Sequence, residues 1–233
     1  GRFLLNLCEQ LFQLPVETIL DTAALGEVLQ RRAPIYDKGQ DGHYNLISAL
    51  HKSLRGSDTD AALYWLARML VGGEDPRYIA RRLLRFAYED IGLADPEAAV
   101  QALTAWETFE RLGSPEGELA IAQAVIYLGT APKSNSGYKA LSAATNLAKL
   151  TGSLMPPAHI INAPTKLMSD LGYGEGYAYD HDMEDGFSGQ SYFPDGGARE
   201  EFYHPAERGF ERELRKRLDY WAELRRRRSK ETN

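Results

Sequence analysis

The stretch AALYWLARMLVGGEDPRYIARRLLRFAYEDIG, residues 61–92, contains two amphipathic helical segments separated by a stop signal and a start signal. Large apolar residues recur every three or four positions in each half, which is the spacing of one helix face. The pair Gly72-Gly73 is typical of a helix end, and Asp75 before Pro76 is typical of an N-cap followed by the first helical residue. The short connection predicts two helices that pack as antiparallel neighbours.

The same pattern continues on both sides of this stretch. Asp95-Pro96 and Ser114-Pro115 repeat the capping signal, and further helices are predicted over residues 44–54, 117–128 and 136–150. Nothing alternates strands with helices, so the fold class is predicted to be all-α, a compact array of antiparallel helical hairpins. The apolar positions expected to face the core are Leu46, Leu50, Leu54, Leu63, Leu66, Leu70, Ile79, Leu83 and Phe86.

The two ends of the chain differ from this helical middle. Residues 1–36 form a separate short segment, and the polar, glycine-bearing residues 38–42 are a plausible boundary. Helical periodicity disappears over residues 173–205, and a last helix is predicted over residues 206–227. The apolar face of that last helix consists of Phe210, Leu214, Leu218, Trp221 and Leu224.

Composition narrows the function classes. The chain has 233 residues, 43% of them hydrophobic, with a net charge of −6, which argues against a nucleic-acid footprint across the whole domain. The single cysteine, Cys8, cannot build a disulfide framework or a cysteine-rich zinc site. The phosphate-binding pattern G-x-x-x-x-G-K-[ST] is absent from the sequence, so we expect this chain to hydrolyse no nucleotide by itself.

The segment YGEGYAYDHDMEDGFSGQSYFPD, residues 173–195, holds the densest group of chemically active side chains. One hypothesis makes Asp180, His181, Asp182 and Glu184 the metal or acid/base residues of an enzyme. The glycine of a calcium-binding loop would have to follow the first ligand at position six, and Gly186 stands at position seven from Asp180. A solvated acidic loop is therefore the favoured interpretation, and no metal site is predicted.

Aromatic residues give the same segment a different interpretation. Disordered acidic segments are poor in aromatics, whereas residues 173–205 contain eight. Rings spaced along a polar backbone predict a strap that lies over the helical core or over a neighbouring subunit. The candidate assembly residues are Tyr173, Tyr177, Tyr179, Phe187, Tyr192, Phe193, Phe202 and Tyr203.

Arginine clusters provide candidates for contact with DNA phosphates. One cluster lies in the middle of the chain and one near its end; together they comprise Arg81, Arg82, Arg85, Arg225, Arg226, Arg227 and Arg228. The favoured alternative for the terminal cluster is a solvated helix end, where cations suit the helix dipole.

Four long segments together resemble one known family. They are YDKGQDGHYNLISALHKSLRGSDTDAALYWLARML (36–70), DPRYIARRLLRFAYEDIGLADP (75–96), EGELAIAQAVIYLGTAPKSNSGYKA (116–140) and NAPTKLMSDLGYGEGYAYDHD (162–182). In this order they are similar to the C-terminal region of the replication-associated recombination protein A family (RarA, also called MgsA). That family comprises bacterial AAA+ ATPases related to clamp loaders and to eukaryotic Werner-helicase-interacting proteins.

The resemblance implies a domain organisation. Residues 1–36 would be the remnant of an AAA+ lid, and residues 37–233 a helical tetramerisation domain with the strap (173–205) and the last helix (206–227). GRFLLN, residues 1–6, resembles the start of the family's lid helix. On that match Arg2 stands at the sensor-2 arginine, which contacts nucleotide phosphates only in the intact protein.

The resemblance also implies a function. The intact protein would bind ATP and magnesium, hydrolyse ATP in response to DNA at stalled replication forks, and associate with single-stranded DNA-binding protein in the bacterial cytoplasm, near the nucleoid. This chain would hold no cofactor and would join four copies into a homotetramer. The alternatives are a module that itself binds DNA or a replication protein, and the metal-dependent enzyme considered above.

Overall fold

A computed structural model describes residues 12, 21, 40–183, 185–195 and 199–231 of the chain. The described part holds eight α-helices and no strand, so the predicted all-α fold class is confirmed. Contacts divide the chain into two compact units, Gly1–Asn135 and Ser136–Asn233, which we call the first unit and the second unit. In the described part, no helix is both long and apolar enough to cross a membrane.

The described helices of the first unit form consecutive packed pairs. They are α1 (Gln40–Arg55), α2 (Thr59–Val71), α3 (Pro76–Phe86), a π-helical turn (Ala87–Ile91), a 3-10 turn (Gly92–Ala94), α4 (Glu97–Leu112) and α5 (Glu118–Thr130). Helix α1 packs on α2, α3 on α4, and α4 on α5, while α2 also packs on α5. The predicted array of helical hairpins is therefore present in the first unit.

The second unit contains less regular structure. Its described elements are α6 (Ser136–Leu150), a 3-10 turn (Ala158–Ile160), α7 (Lys166–Asp170), a 3-10 turn (Asp180–Asp182) and α8 (Glu211–Glu231). Helix α6 has the predicted bounds, whereas α8 begins and ends later than the predicted range 206–227. The segment between α7 and α8 forms turns and extended backbone, as its lost periodicity indicates.

Aspartate carboxylates fix two of the helix starts that the sequence marks. The carboxylate of Asp75 accepts a hydrogen bond from the Arg77 amide at 3.0 Å, and Pro76 stands in the first turn of α3. Asp95 accepts from the Glu97 amide at 3.2 Å, but Pro96 rather than Asp95 occupies the N-cap position of α4, so the helix begins one residue later than predicted. Each bond satisfies an amide that the helix itself leaves unpaired.

The predicted cap at Ser114 is wrong. Gly113 adopts a φ of +69°, and a turn closes between its carbonyl and the Gly117 amide before the helix begins. Helix α5 therefore starts at Glu118, with Gly117 at its N-cap position and no side-chain cap. The serine–proline pair belongs to this turn rather than to the helix.

The core of the first unit consists of the apolar faces that the sequence indicates. Of the nine predicted positions, six are buried and Leu46, Leu63 and Leu70 pack partly buried against them. Helices α2 and α5 approach closely at Gly129, where an added Cβ would lie 2.6 Å from the Thr59 hydroxyl. A larger side chain at Gly129 would force the two helices apart.

One ionisable side chain lies within this core. His51 is 8% exposed and its ring meets the edge of Phe86, with centroids 5.5 Å apart. Burial, reinforced by the nearby charge of Arg82, lowers the pKa of His51 to about 4, so that the ring is neutral near pH 7. Beside it, the guanidinium of Arg55 donates two hydrogen bonds to Asp90, at 2.6 and 3.1 Å, and fixes the π-helical turn to the end of α1.

Candidate assembly surface of the C-terminal region

The strap is held in shape by one carboxylate. Asp180 accepts hydrogen bonds from the Ser188 amide and from the Tyr192 hydroxyl, both at 2.8 Å. These bonds, the backbone one foremost, lower the pKa of Asp180 below its usual value and keep it ionised. Asp180 therefore closes a loop of the strap, which is a structural role.

A glutamine bridges the two arms of the same loop. The side-chain amide of Gln190 accepts from the Ala178 amide at 3.0 Å and donates to the Gly176 carbonyl at 2.7 Å. The next residue, Ser191, contacts a histidine. Nε2 of His159 lies 3.0 Å from the Ser191 carbonyl and donates a hydrogen bond to it in the tautomer that is protonated at Nε2. Side chains thus replace the backbone ladder that a strand pair would supply.

The strap packs onto the last helix through Phe187. The Phe187 and Trp221 rings lie 5.3 Å apart, and the guanidinium of Arg225 stands 5.6 Å from the Phe187 centroid. Gly189 permits this approach because a Cβ there would lie 2.9 Å from the Cβ of Arg228. The predicted strap therefore covers part of the last helix.

A buried glutamate fixes the end of the strap to the start of α8. The carboxylate of Glu211 is fully buried, and it accepts hydrogen bonds from the Tyr203 hydroxyl at 2.9 Å and the Ala206 amide at 2.7 Å. Burial and this bond raise the pKa of Tyr203. Residues 206–210 are drawn into this turn, which explains why α8 begins at Glu211 rather than at residue 206.

The eight predicted assembly aromatics are not buried within the chain. Tyr173, Phe187, Phe193, Phe202 and Tyr203 are half-buried, while Tyr177, Tyr179 and Tyr192 are exposed. The predicted apolar face of the last helix is only partly covered: Leu214 and Leu224 are half-buried, while Phe210, Leu218 and Trp221 remain at least 37% exposed. The rings thus have partners in the strap and in α8, yet each keeps part of its surface free.

Helix α6 is an apolar surface that the sequence analysis did not include among the assembly candidates. None of its residues is buried, and Leu141 and Leu150 are 70% and 84% exposed. Further along the chain, Leu154, Met155, Leu167 and Leu171 are exposed as well. The composition of α6 could have shown this, because the helix has apolar residues around its circumference and no acidic residue.

The acidic residues of the strap do not converge on one point. Asp180 is engaged as described, His181 stacks beside Tyr179 at 5.1 Å, and Asp182 is exposed. Glu184 lies outside the described residues. Within residues 40–183, 185–195 and 199–231, no group of three or more His, Cys, Asp or Glu side chains is placed to hold a metal ion.

The predicted DNA-contact arginines fall into two groups. Arg85 pairs with Glu89 at 2.7 Å, Arg82 is half-buried towards His51, and Arg81 stacks on Tyr78. In α8, Arg226 and Arg227 share Glu223 and Arg228 lies 3.7 Å from Asp185. The only partner found for Arg225 among the described residues is the Phe187 ring. Arg2 lies outside the described residues.

Comparison with known proteins identifies the family of this chain. A family profile described as "MgsA AAA+ ATPase C terminal" matches residues 56–222, and one described as "AAA C-terminal domain" matches residues 1–55. The chain is 50% identical over 229 residues to Replication-associated recombination protein A of Coxiella burnetii, which covers 96% of this chain and 52% of that protein. It is 47% identical over 206 residues to the protein of the same name from Escherichia coli K12, covering 88% and 46%.

The similarity extends beyond bacteria. ATPase WRNIP1 of Dictyostelium discoideum is 45% identical over 189 residues, which cover 80% of this chain and 22% of that protein. The chain spans about half the length of the bacterial relatives named above. An all-helical fold with these matches defines the class: a C-terminal region of an AAA+ ATPase. The chain belongs to the MgsA family, which includes the bacterial replication-associated recombination proteins A, and the predicted resemblance is confirmed.

Proposed function

We propose that this chain is the homotetramerisation module of a DNA-dependent AAA+ ATPase that acts in replication, recombination and repair at stalled forks. The observation that carries the proposal is the distribution of burial. Every buried hydrophobic residue found in the described ranges, proline aside, lies between Ile47 and Ala131. The second unit, by contrast, leaves its leucines and aromatics at least partly exposed, although it accounts for over 90 of the described residues.

Single exposed apolar residues are normal, but continuous apolar stretches mark interfaces. The exposed residues of the second unit follow one another along α6, the segment after it, the strap and α8. Aromatic and arginine side chains, which dominate the energetics of protein interfaces, are abundant there. Association of copies would bury this surface, and the family membership supports a closed oligomer of an AAA+ protein.

The remaining parts of the proposal concern the intact protein. ATP and magnesium would bind to an ATPase core outside this chain, with Arg2 contributing the sensor-2 contact. DNA and single-stranded DNA-binding protein would be partners of the intact protein, located in the bacterial cytoplasm at the nucleoid. The ATPase activity is supported by the description of the family profile, and the role in replication and recombination by the names of the relatives.

The oligomeric mass of the chain tests the proposal. Size-exclusion chromatography with multi-angle light scattering at micromolar concentration should give four times the 26.0 kDa of one chain. A monomer at that concentration would contradict an assembly role, and a stable dimer would contradict the tetramer.

A second function, direct contact with DNA, is favoured by the arginines that lack a carboxylate partner. Arg81 and Arg225 each lie over an aromatic ring, and no acidic partner is found for either among the described residues. Binding through phosphates would weaken steeply as salt increases. Fluorescence anisotropy with single-stranded and forked oligonucleotides would detect it, and the absence of salt-dependent binding would rule out this function.

A further inference from the structure

The C-terminal end of the strap and helix α8 enclose a cavity of about 390 Å³. Aromatic rings from Phe193, Phe202 and Trp221 contribute its apolar walls, and the guanidiniums of Arg199 and Arg225 contribute positive charge. We call this set of five residues the arginine cavity. Its volume suits one or two side chains of a partner rather than a large ligand.

Arg215 also lines this cavity and donates a hydrogen bond to the Pro205 carbonyl. The other two arginines, Arg199 and Arg225, each lie near an aromatic ring. Arg199 stands 5.6 Å from the Phe193 ring, and Arg225 stands 5.6 Å from the Phe187 ring. Glu201 lies near enough to favour the charge of Arg225, but among the described residues no carboxylate forms an ion pair with either guanidinium. Burial foremost, and then the charge of Arg199, lower the pKa of Arg225.

The neighbouring arginines of α8 show the contrast. Arg226 and Arg227 pair with Glu223, and Arg228 pairs with Asp185, so each has an acidic partner within the chain. In the arginine cavity, the positive charges of Arg199 and Arg225 repel each other. A carboxylate bound beside them would reduce this repulsion. The arginine cavity is therefore a site whose missing partner is a carboxylate carried next to an aromatic or apolar group.

The same chain displays such a group on the strap. Tyr177 and Tyr179 are 47% and 53% exposed, and no hydrogen bond or ion pair to the Asp182 carboxylate is found in the part of the chain that the structure describes. The neighbouring acids Asp180 and Asp185 are already engaged, by Tyr192 and by Arg228. An exposed tyrosine with an unpaired aspartate three positions away thus complements the arginine cavity in charge and in ring chemistry.

We propose that the arginine cavity receives Tyr179 and Asp182 of a second copy of this chain, and that the exchange is reciprocal between the two copies. Within one chain, Asp182 remains unpaired and Tyr179 exposed, so the chain's own strap does not fill its cavity. The cavity lining also includes Glu200, Glu201 and Asp219. These acids disfavour a polyanion such as DNA, whereas a single carboxylate adds only one negative charge beside the guanidiniums of Arg199 and Arg225. The inference rests on the proposed assembly function and specifies one of its contact surfaces.

Charge reversal in the cavity is the first test. The variant Arg199→Glu/Arg225→Glu should raise the dissociation constant of this contact by roughly 100-fold or more, measured by sedimentation velocity across a concentration series. The matched control Lys230→Glu makes the same kind of charge change on α8 at an exposed position outside the cavity. It should assemble like the unmodified chain.

The reciprocal variant tests the other side of the contact. Asp182→Arg should weaken assembly to a similar degree, while Asp60→Arg, an exposed acid on α2 of the first unit, should not. Mixing the Asp182→Arg chain with the Arg199→Glu/Arg225→Glu chain restores opposite charges at both contacts. The mixture should therefore assemble although neither variant does so alone, which also shows that both variants are folded.

Four outcomes would overturn the inference. If the cavity variant assembles with an unchanged dissociation constant, the contact lies elsewhere while the assembly function stands. If the variant keeps its assembly but loses binding to a single-stranded oligonucleotide, the cavity belongs to nucleic acid. If the two variants dissociate but fail to recover on mixing, no exchange between copies takes place. A monomeric unmodified chain would contradict both this inference and the assembly function.

Discussion

The two units of this chain use apolar residues in opposite ways. In the first unit, the leucine and isoleucine faces of α1 to α5 meet one another, and side chains such as Leu50 and Phe86 are fully buried. In the second unit, α6 buries no residue, and the described residues in the buried class are Pro157, Pro205 and Glu211. The first unit completes its own core, whereas polar contacts hold much of the second unit's fold.

This difference indicates how each unit should respond to substitution. A closed core loses free energy when a buried side chain is truncated, because a cavity remains. Truncation of an exposed side chain changes the free energy of unfolding of one chain only slightly. Such a side chain contributes to the free energy of association when a partner covers it. Three substitutions, in order of decreasing effect on the stability of one chain, test the comparison.

The largest effect is expected for Phe86→Ala in α3. Phe86 is fully buried in the core of the first unit, so truncation should reduce the free energy of unfolding by about 3–5 kcal/mol. Urea denaturation followed by circular dichroism would measure the change. Tyr88→Ala, two residues later and 69% exposed, is the control and should change it by less than about 0.5 kcal/mol. Equal effects of the two substitutions would contradict the closed core.

A smaller effect is expected from protonation of His51. Its folded-state pKa of about 4 lies below the ordinary 6.5, so the unfolded chain takes up a proton first as the pH falls. Stability contributed by the neutral ring is therefore present at pH 7 and is lost as the pH falls towards 4. Between pH 7 and pH 5 the free energy of unfolding should decrease by about 2 kcal/mol from this residue alone.

The comparison chain for His51 is His51→Met, which keeps an apolar side chain in the core. Urea denaturation of both chains at pH 7 and pH 5 separates the contribution of His51 from that of other titrating groups. Between pH 7 and pH 5, the free energy of unfolding should decrease by about 2 kcal/mol less in the His51→Met chain than in the unmodified chain. An identical pH dependence in the two chains would show that the ring is not buried in its neutral form.

The smallest effect on one chain, and the sharpest test of the second unit, is expected for Leu141→Ala in α6. Leu141 is 70% exposed, so the free energy of unfolding of dilute chain should change by less than about 0.5 kcal/mol. If copies cover this helix on assembly, the dissociation constant should rise by roughly tenfold, from the lost apolar contact. Leu112→Ala in α4, 55% exposed in the first unit, is the control and should leave assembly unchanged.

The extent to which the sequence predicted these features follows from the range of the interactions. Helix starts at Asp75 and Asp95 depend on a carboxylate and an amide two residues apart, so the local pattern was sufficient. The start of α8 depends on Glu211 bonding to Tyr203 and Ala206, and α5 begins after a turn that displaces the Ser114 cap. Such competition between a helix and a neighbouring turn is not visible in periodicity.

The candidate assembly surface shows the same difference between what local sequence patterns predict and what long-range contacts decide. Aromatic spacing predicted an assembly role for residues 173–205, because clustered rings in a polar segment require a partner. It did not show that Asp180 closes the strap, that Gln190 bridges its arms, or that Arg199 and Arg225 meet at one cavity. Those facts depend on which distant side chains the folded backbone brings together.

The sequence by itself determined the all-α class, the apolar faces of the first unit and the family, because periodicity, caps and long collinear motifs are properties of the chain alone. Only the tertiary structure decided which apolar faces are covered. The stripes of α3 and of α8 look alike in the sequence, yet Phe86 is fully buried and Trp221 is 38% exposed. The physical reason is that burial depends on which element packs opposite a side chain. An amphipathic pattern indicates that some element must cover the apolar face, but it does not indicate which one.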